Sequence, residues 1–291
     1  MAATADIVFY EKKPLERNLL MNILTYPFVV VSARYGEWIH AQMRGMRHAR
    51  VVLEKATTAS ALEIMTRNPP PIKSWETLKE NYLWRLRIAA GVRNREILVG
   101  RKLLGAGQRH FEKHPNEELR ISVLACGFAA ASLNCAARWI LLENRPCRVM
   151  LFDKDEKILA RAMEHARRLG IEQWVLPIQG SMNSEADLKI VFDFEPHIVE
   201  IVGFIEYRPD DRVGTIIGMV RGMLPIGGTL ITGNATDMPK IHQRSIHNLK
   251  WPIIFRKPSE TIALVRENLF DPHPKGELDP TGWFLVVEAT K

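Results

Sequence analysis

The residues best suited to chemistry in this chain are a lone glycine in a run of small side chains and an aspartate about 25 positions further on. Gly127 sits within Ala125-Cys126-Gly127-Phe128-Ala129-Ala130. Small side chains there let the backbone approach a ligand closely and turn the first amides of a following helix toward it. Asp153 closes the apolar run Met150-Leu151-Phe152 and is followed by Lys154 and Asp155. A carboxylate at such a strand tip accepts two hydrogen bonds in one plane, which suits the paired hydroxyls of a ribose. Asp155 is better placed to cap the next helix. That leaves Asp153 for a nucleoside-like ligand, with Lys154 beside it.

These residues need a frame. From about Arg120 short apolar runs alternate with helical stretches. Strands are expected at 121–125, 148–152, 174–178, 197–202, 229–232 and 282–289. Helices are expected at 129–142, 156–169 and 212–223, the second closed by Gly170. Such alternation specifies a doubly wound α/β domain, a parallel sheet with helices on both faces. Ligands of such sheets lie beyond the carboxyl ends of the strands, where Gly127 and Asp153 fall. The domain is assigned to residues 119–291.

Residues 1–118 read as mainly helical and form a cap or an oligomerisation region, the latter consistent with a homodimer. Asn68-Pro69-Pro70-Pro71 and His114-Pro115-Asn116 interrupt helices, since proline lacks an amide donor and restricts its predecessor. Between them apolar residues recur at helical spacing, and Gly91 is expected to divide the stretch in two. This segment carries 19 Lys/Arg against 12 Asp/Glu, whereas the remainder carries 21 of each. The whole net charge of +7 therefore arises in the first segment. No dense basic run accompanies it, so a solvated helical surface is expected rather than a nucleic-acid site. No apolar stretch approaches the ~20 residues of a membrane helix, and the amino terminus shows no export signal. With three cysteines in 291 residues, no disulfide framework is expected. The expected location is cytoplasmic.

The sequence resembles the class I S-adenosylmethionine (SAM)-dependent methyltransferases over roughly residues 90–291. The segments ISVLACGFA, VMLFDKDEKILARAMEHARRLGI, HIVEIVGFIEYRPDD and RGMLPIGGTLITGN carry the resemblance. It is closest to a bacterial branch with a GIRNR-like segment before the sheet and WP..(Y/F)R.P after strand five. Here these read Gly91-Val92-Arg93-Asn94-Arg95 and Trp251 to Pro258. The resemblance implies a Rossmann-like fold, SAM as cofactor and a small-molecule acceptor. The first motif departs from the family pattern: its acid becomes Val123, and of its three glycines only Gly127 remains, with Ala125 and Ala129 in the other places. That acid normally helps to hold the methionine end of SAM.

From the resemblance, Arg93 is expected to reach the cofactor carboxylate in its place, with Arg95 as the alternative, because a guanidinium matches a carboxylate bidentately. Ala125, Cys126, Gly127, Asp153, Lys154, Ser181 and Met182 are expected around the adenosine. After strand four, Glu206 is expected as general base and Tyr207 as a wall facing the sulfonium, a helix-leading loop being the competing reading. After strand five, Asn234 either orients the acceptor or serves an ordinary turn. Glu200, within strand four, is either a site residue or on an open face. His242 and His247 lie five apart without a completing ligand, so no metal site is expected. Besides methyl transfer, two alternatives stand: SAM-dependent aminocarboxypropyl transfer or cyclisation releasing methylthioadenosine, and a non-catalytic nucleotide-binding protein. A dinucleotide oxidoreductase is weaker, because G-x-G-x-x-G is absent.

Overall fold

A computed structural model describes residues 6–17, 19–46, 49–50, 53, 64–66, 71–268 and 273–291. The chain starts with helices α1 (Leu19–Arg34), α2 (Gly36–Arg44) and α3 (Trp75–Trp84), then the long α4 (Arg87–Lys113). Strand β1 (Leu119–Leu124), α5 (Ala130–Ala137), β2 (Cys147–Asp153), α6 (Glu156–Leu169), β3 (Val175–Gln179), α7 (Glu185–Asp193), β4 (Ile198–Ile201), α8 (Asp210–Met223) and β5 (Thr229–Ala235) follow. Two helices, α9 (Lys240–Asn248) and α10 (Pro258–Asn268), precede the closing strands β6 (Lys275–Leu278) and β7 (Phe284–Thr290).

The seven strands pair in the order β3-β2-β1-β4-β5-β7-β6. β1 to β5 are parallel, while β7 runs antiparallel to both β5 and β6. Alternate residues of the central strands feed opposite cores, as the two-residue period of a strand requires. Ile121, Val123, Val149 and Leu151 join a core with α4, α5 and α6. Leu124, Met150, Phe152, Val199 and Ile201 join another with α7, α8 and α10. The sheet is thus covered on both faces, as a near-continuously apolar parallel sheet must be.

The strand order reverses between β1 and β4, so the crevice for a ligand opens at the carboxyl end of β1. α6 begins at Asp155, whose side chain accepts the Lys157 amide at 2.9 Å, and ends at Gly170 with φ of 73°. The expected break at Gly91 does not occur: α4 runs unbroken through it. Gly91 serves packing instead, since a Cβ there would lie 2.8 Å from that of Trp283. The helix begins just upstream, at Arg87, with Leu86 as its flanking cap residue. It ends before His114-Pro115, as the proline dictates.

α4 also shares the sheet's core, with Ile97, Leu98, Leu103 and Phe111 packed in the same cluster as Ile121 and Val149. The Asn68–Pro70 part of the first proline run lies outside the described residues. So does much of the 14–65 stretch expected to be helical; its described part includes α1 and α2. Among the described residues no helix is long and apolar enough to cross a membrane.

Candidate functional site

A cavity of about 600 Å³ opens over the carboxyl ends of β1, β2 and β4, within the range of small-molecule sites. Its floor is the turn from β1 into α5. Three of that turn's residues adopt left-handed backbone: Ala125 (φ 49°), Gly127 (φ 54°) and Ala129 (φ 48°). These are the three positions that align with the glycines of the resembled motif. The backbone shape therefore persists where two of the three glycines do not, at the steric cost an alanine carries in that region. Ala129 precedes the helix without a side-chain cap, so the first amides of α5 have no side-chain acceptor from that position.

Asp153, at the tip of β2, binds this turn. One carboxylate oxygen accepts the Gly127 amide at 3.2 Å and the other accepts the Asp155 amide at 3.0 Å. Asp153, Lys154, Ser181 and Met182 all line the cavity, as do Ala125, Cys126 and Gly127. Ser181 is held by its amide on Asp187 (2.8 Å), and its hydroxyl accepts the Asn183 amide at 3.2 Å. Burial pushes the Cys126 thiol well above its usual pKa, so it stays protonated and fills space.

The β4 side of the turn is acidic and buried. Glu200 lies in register beside Val123 and lines the cavity. Its carboxyl accepts the Ser132 hydroxyl, and burial pushes its pKa up to about 7. Glu96, from α4, also lines the cavity; it accepts the Tyr10 hydroxyl at 3.0 Å, and burial raises its pKa. Arg95 completes this end, with its guanidinium 4.7 Å from the Phe284 ring centroid.

Three expected roles are corrected. Arg93 does not reach the cavity, because its guanidinium is consumed elsewhere. It forms a bidentate pair with Glu16 (2.5 and 2.8 Å), donates to the carbonyls of Met65 and Trp84 at 3.1 Å each, and stacks 3.4 Å from the Trp84 ring centroid. Arg95, two residues on and so on the other side of the helix, faces the cavity.

Glu206 is not a free base. It is 1% exposed, lies outside the cavity lining, and holds Arg95 at 2.9 Å, with burial raising its pKa. Asn234 does not face an acceptor either. Its amide donates to the carbonyls of Ala235 (2.7 Å) and Ile254 (3.0 Å), and its oxygen accepts from Arg256 at 2.8 Å. Arg256 in turn ties Asp210 and the Arg208 carbonyl, so both residues brace the loops after β4 and β5.

Tyr207 does line the cavity. Its oxygen accepts the Trp251 indole N–H at 2.7 Å, which fixes the ring and leaves the phenolic hydrogen free to donate elsewhere. Phe204, Arg208 and Pro252 stand around it, with Arg208 stacked 4.7 Å from the Phe204 centroid. His247 is committed to the Ile253 carbonyl, and His242 packs against Trp283.

Glu96 was missed as a sequence signal because one acid in a helix looks like any solvated one. The one sequence sign that marks it is its place next to Arg95 on a helix leading into the sheet.

No protein-family model matches the chain, and no curated protein sequence matches it significantly. Solved structures do. A possible exported protein from Bordetella parapertussis superposes with a TM-score of 0.68 at 16% identity, over 93% of this chain and 96% of that one. An O-methyltransferase family protein from Burkholderia thailandensis gives 0.53 at 14% identity, over 90% and 71%. The chain has the Rossmann-like fold of the SAM-dependent methyltransferases. At these identities the likeness is one of fold.

Proposed function

We propose that the protein is a SAM-dependent methyltransferase acting on a small molecule. One observation carries this reading: a single cavity holds Asp153 on the β2 side of the β1 turn and, on its β4 side, the half-buried carboxyl of Glu96 and the buried carboxyl of Glu200. The first suits a ribose. The second suits a cation, because Arg95, the positive charge that acts on Glu200, is already paired with Glu206. A ligand bearing a diol at one end and positive charge at the other matches both. The pyrophosphate of a dinucleotide would instead meet two carboxyls, which disfavours that alternative.

In this reading Asp153 accepts the ribose hydroxyls with the lone pairs left by Gly127 and Asp155. Glu96 and Glu200 hold the ammonium, and Arg95 lies within reach of the carboxylate. When bound, SAM supplies an activated methyl sulfonium. The protein's task is then to align the acceptor's lone pair with the methyl carbon, for which Tyr207, Phe204 and Pro252 provide walls. Calorimetric titration with SAM tests the reading, followed by product analysis. S-adenosylhomocysteine with a methylated acceptor supports it. Methylthioadenosine would move the attack to the aminocarboxypropyl arm. A folded protein that binds no SAM overturns it.

A further inference from the structure

A second cavity, of about 370 Å³, opens between α1, the start of α4 and α9, and is also lined by Trp283 just before β7. Its size falls within the range of small-molecule sites. It shares no lining residue with the first cavity, although α4 contributes to both, with Ile88 here and Val92 there. Most of its wall is apolar, built by Phe28, Val29, Leu86, Ile88, Ile246 and Trp283. The wall is also fixed in place. The hydroxyls of Ser32 on α1 and Ser245 on α9 pair at 2.5 Å, and the Asn248 amide donates to the carbonyls of Ser32 and Ala33.

The polar groups of this cavity are few and of one kind. Among the described residues no aspartate or glutamate lines it. Its cation is the half-buried Arg87. The Arg87 Nε donates to the Thr281 carbonyl at 2.6 Å, but the guanidinium has no ion pair and no second hydrogen bond among the described residues. Burial lowers its pKa, with the charge of Asp279 opposing the shift. That carboxylate is itself spent on the amides of Thr281, Trp283 and Phe284 and on the Asn94 side chain. His242 also lines the cavity. Its ring makes no hydrogen bond among the described residues and lies 6.2 Å from the Tyr26 centroid and 5.9 Å from that of Trp283. Burial and the Arg87 charge lower its pKa, so the ring is neutral at pH 7 and keeps one N–H to donate. Two more lining residues, Trp283 and Asn22, each hold a buried polar atom without a partner, Nε1 and Oδ1. Such atoms are ordinarily paired.

We propose that this cavity binds a small apolar carboxylate, with Arg87 on the carboxylate, His242 donating beside it and the apolar wall around the hydrocarbon body. With Nε engaged, the two Nη groups of Arg87 still offer the end-on fork that a carboxylate meets bidentately. One cation calls for one negative charge. A phosphate dianion would carry an uncompensated charge into apolar surroundings, and a neutral ligand would leave the guanidinium unpaired. The site stands apart from the proposed SAM chemistry and does not depend on it.

The test titrates octanoate and 3-phenylpropanoate into the full-length protein at pH 7.5 by calorimetry, with octanamide as the uncharged match to octanoate. Saturable binding of at least one acid, one per chain, is expected with a Kd of about 100 µM or tighter. The amide should bind about tenfold or more weakly, the loss of a charge-assisted hydrogen bond. Arg87→Gln should abolish the preference for acid over amide, and Arg87→Lys should keep part of it, since lysine retains the charge without the fork. Val29→Trp, which fills the cavity and leaves its charges in place, should block the acids, with circular dichroism and Tm checking the fold of each variant. Arg208→Ala, in the first cavity, should leave their binding unchanged. Should Arg87→Gln not fold, the acid-over-amide preference of wild type and the block by Val29→Trp still decide. Absence of saturation by either acid up to about 1 mM would overturn the proposal. Equal binding of octanoate and octanamide would do so too, as would binding that is lost in Arg208→Ala and kept in Val29→Trp.

Discussion

Glu200 of β4 stands directly beside Val123 of β1, so a buried acid occupies the sheet edge next to the position where the resembled motif has one. The two Cα positions are paired across neighbouring strands, and the Glu200 carboxyl is presented to the same cavity. Charge absent from one strand is thereby available from the next.

A pH dependence follows. Burial raises the Glu200 pKa from 4.5 to about 7, with Ser132 and Arg95 opposing the shift and Glu96 adding to it. The folded state therefore holds this proton more tightly than the unfolded chain. Its contribution to stability is complete below pH 4.5 and is lost as pH rises through 7, on the order of 3 kcal/mol. Glu96 and Glu206 are shifted in the same direction, so the comparison must be with Glu200→Gln. Denaturant melts between pH 5 and 8 should show wild type losing stability relative to that variant. Parallel curves would mean that Glu200 is ionised throughout.

Asp153→Ala should weaken SAM binding by about 1.5–3 kcal/mol, the range for a charge-assisted hydrogen bond. A modest loss in Tm should accompany it, because the Gly127 amide loses its acceptor. Calorimetry with SAM and a thermal melt separate the two effects. Unchanged affinity would detach Asp153 from the ligand.

Ala125→Gly and Ala129→Gly should each be neutral or stabilising by up to about 1 kcal/mol, although glycine ordinarily costs chain entropy. At φ of 49° and 48° an alanine Cβ is strained where glycine is not. Gly127→Val should do the reverse and also abolish SAM binding, by placing a branched side chain in left-handed backbone on the cavity floor. Chemical denaturation of the three variants checks both signs.

Arg93→Ala should destabilise the fold by about 3 kcal/mol, toward the low end for breaking a buried ion pair because Glu16 is partly exposed. Its SAM affinity should equal that of wild type. Arg95→Lys, which keeps the charge but loses the fork toward Glu206 and the cavity, should weaken SAM binding with a smaller effect on stability. The opposite pattern would restore Arg93 to the cofactor.

The doubly wound sheet was legible in the sequence because each parallel strand, buried on both faces, is a short apolar run followed by an amphipathic helix. The Gly127 turn and Asp153 were legible for the same reason: the fold places ligand groups at strand tips, and strand tips can be counted. Asp155 as a helix cap and Gly170 as a helix end were equally local. Strand β6 and helices α7, α9 and α10 were not foreseen, since short or weakly periodic segments are fixed by what they pack against. Gly91 was misread because a glycine in a helix signals a break to local rules. Only the approach of Trp283, nearly two hundred residues away, shows it to be a packing surface.

The choice between Arg93 and Arg95 lay beyond local pattern as well. Two residues of identical chemistry face different sides of one helix, and Glu16, Trp84 and Glu206 decide which guanidinium is free to face a ligand. Likewise, Glu206 and Asn234 occupy the right loops but turn inward to brace them. The sequence by itself determined the architecture and the positions of the β1–β2 residues that line the candidate site, which sit at fixed places in a repeating βα pattern. The tertiary structure decided the acidic side, built by Glu96, Glu200 and Arg95, and the second cavity, which Asn22, Arg87, His242 and Trp283 line. In both cases the partners are far apart along the chain, and helix rotation and strand register, which bring them together, are set by packing across the whole core.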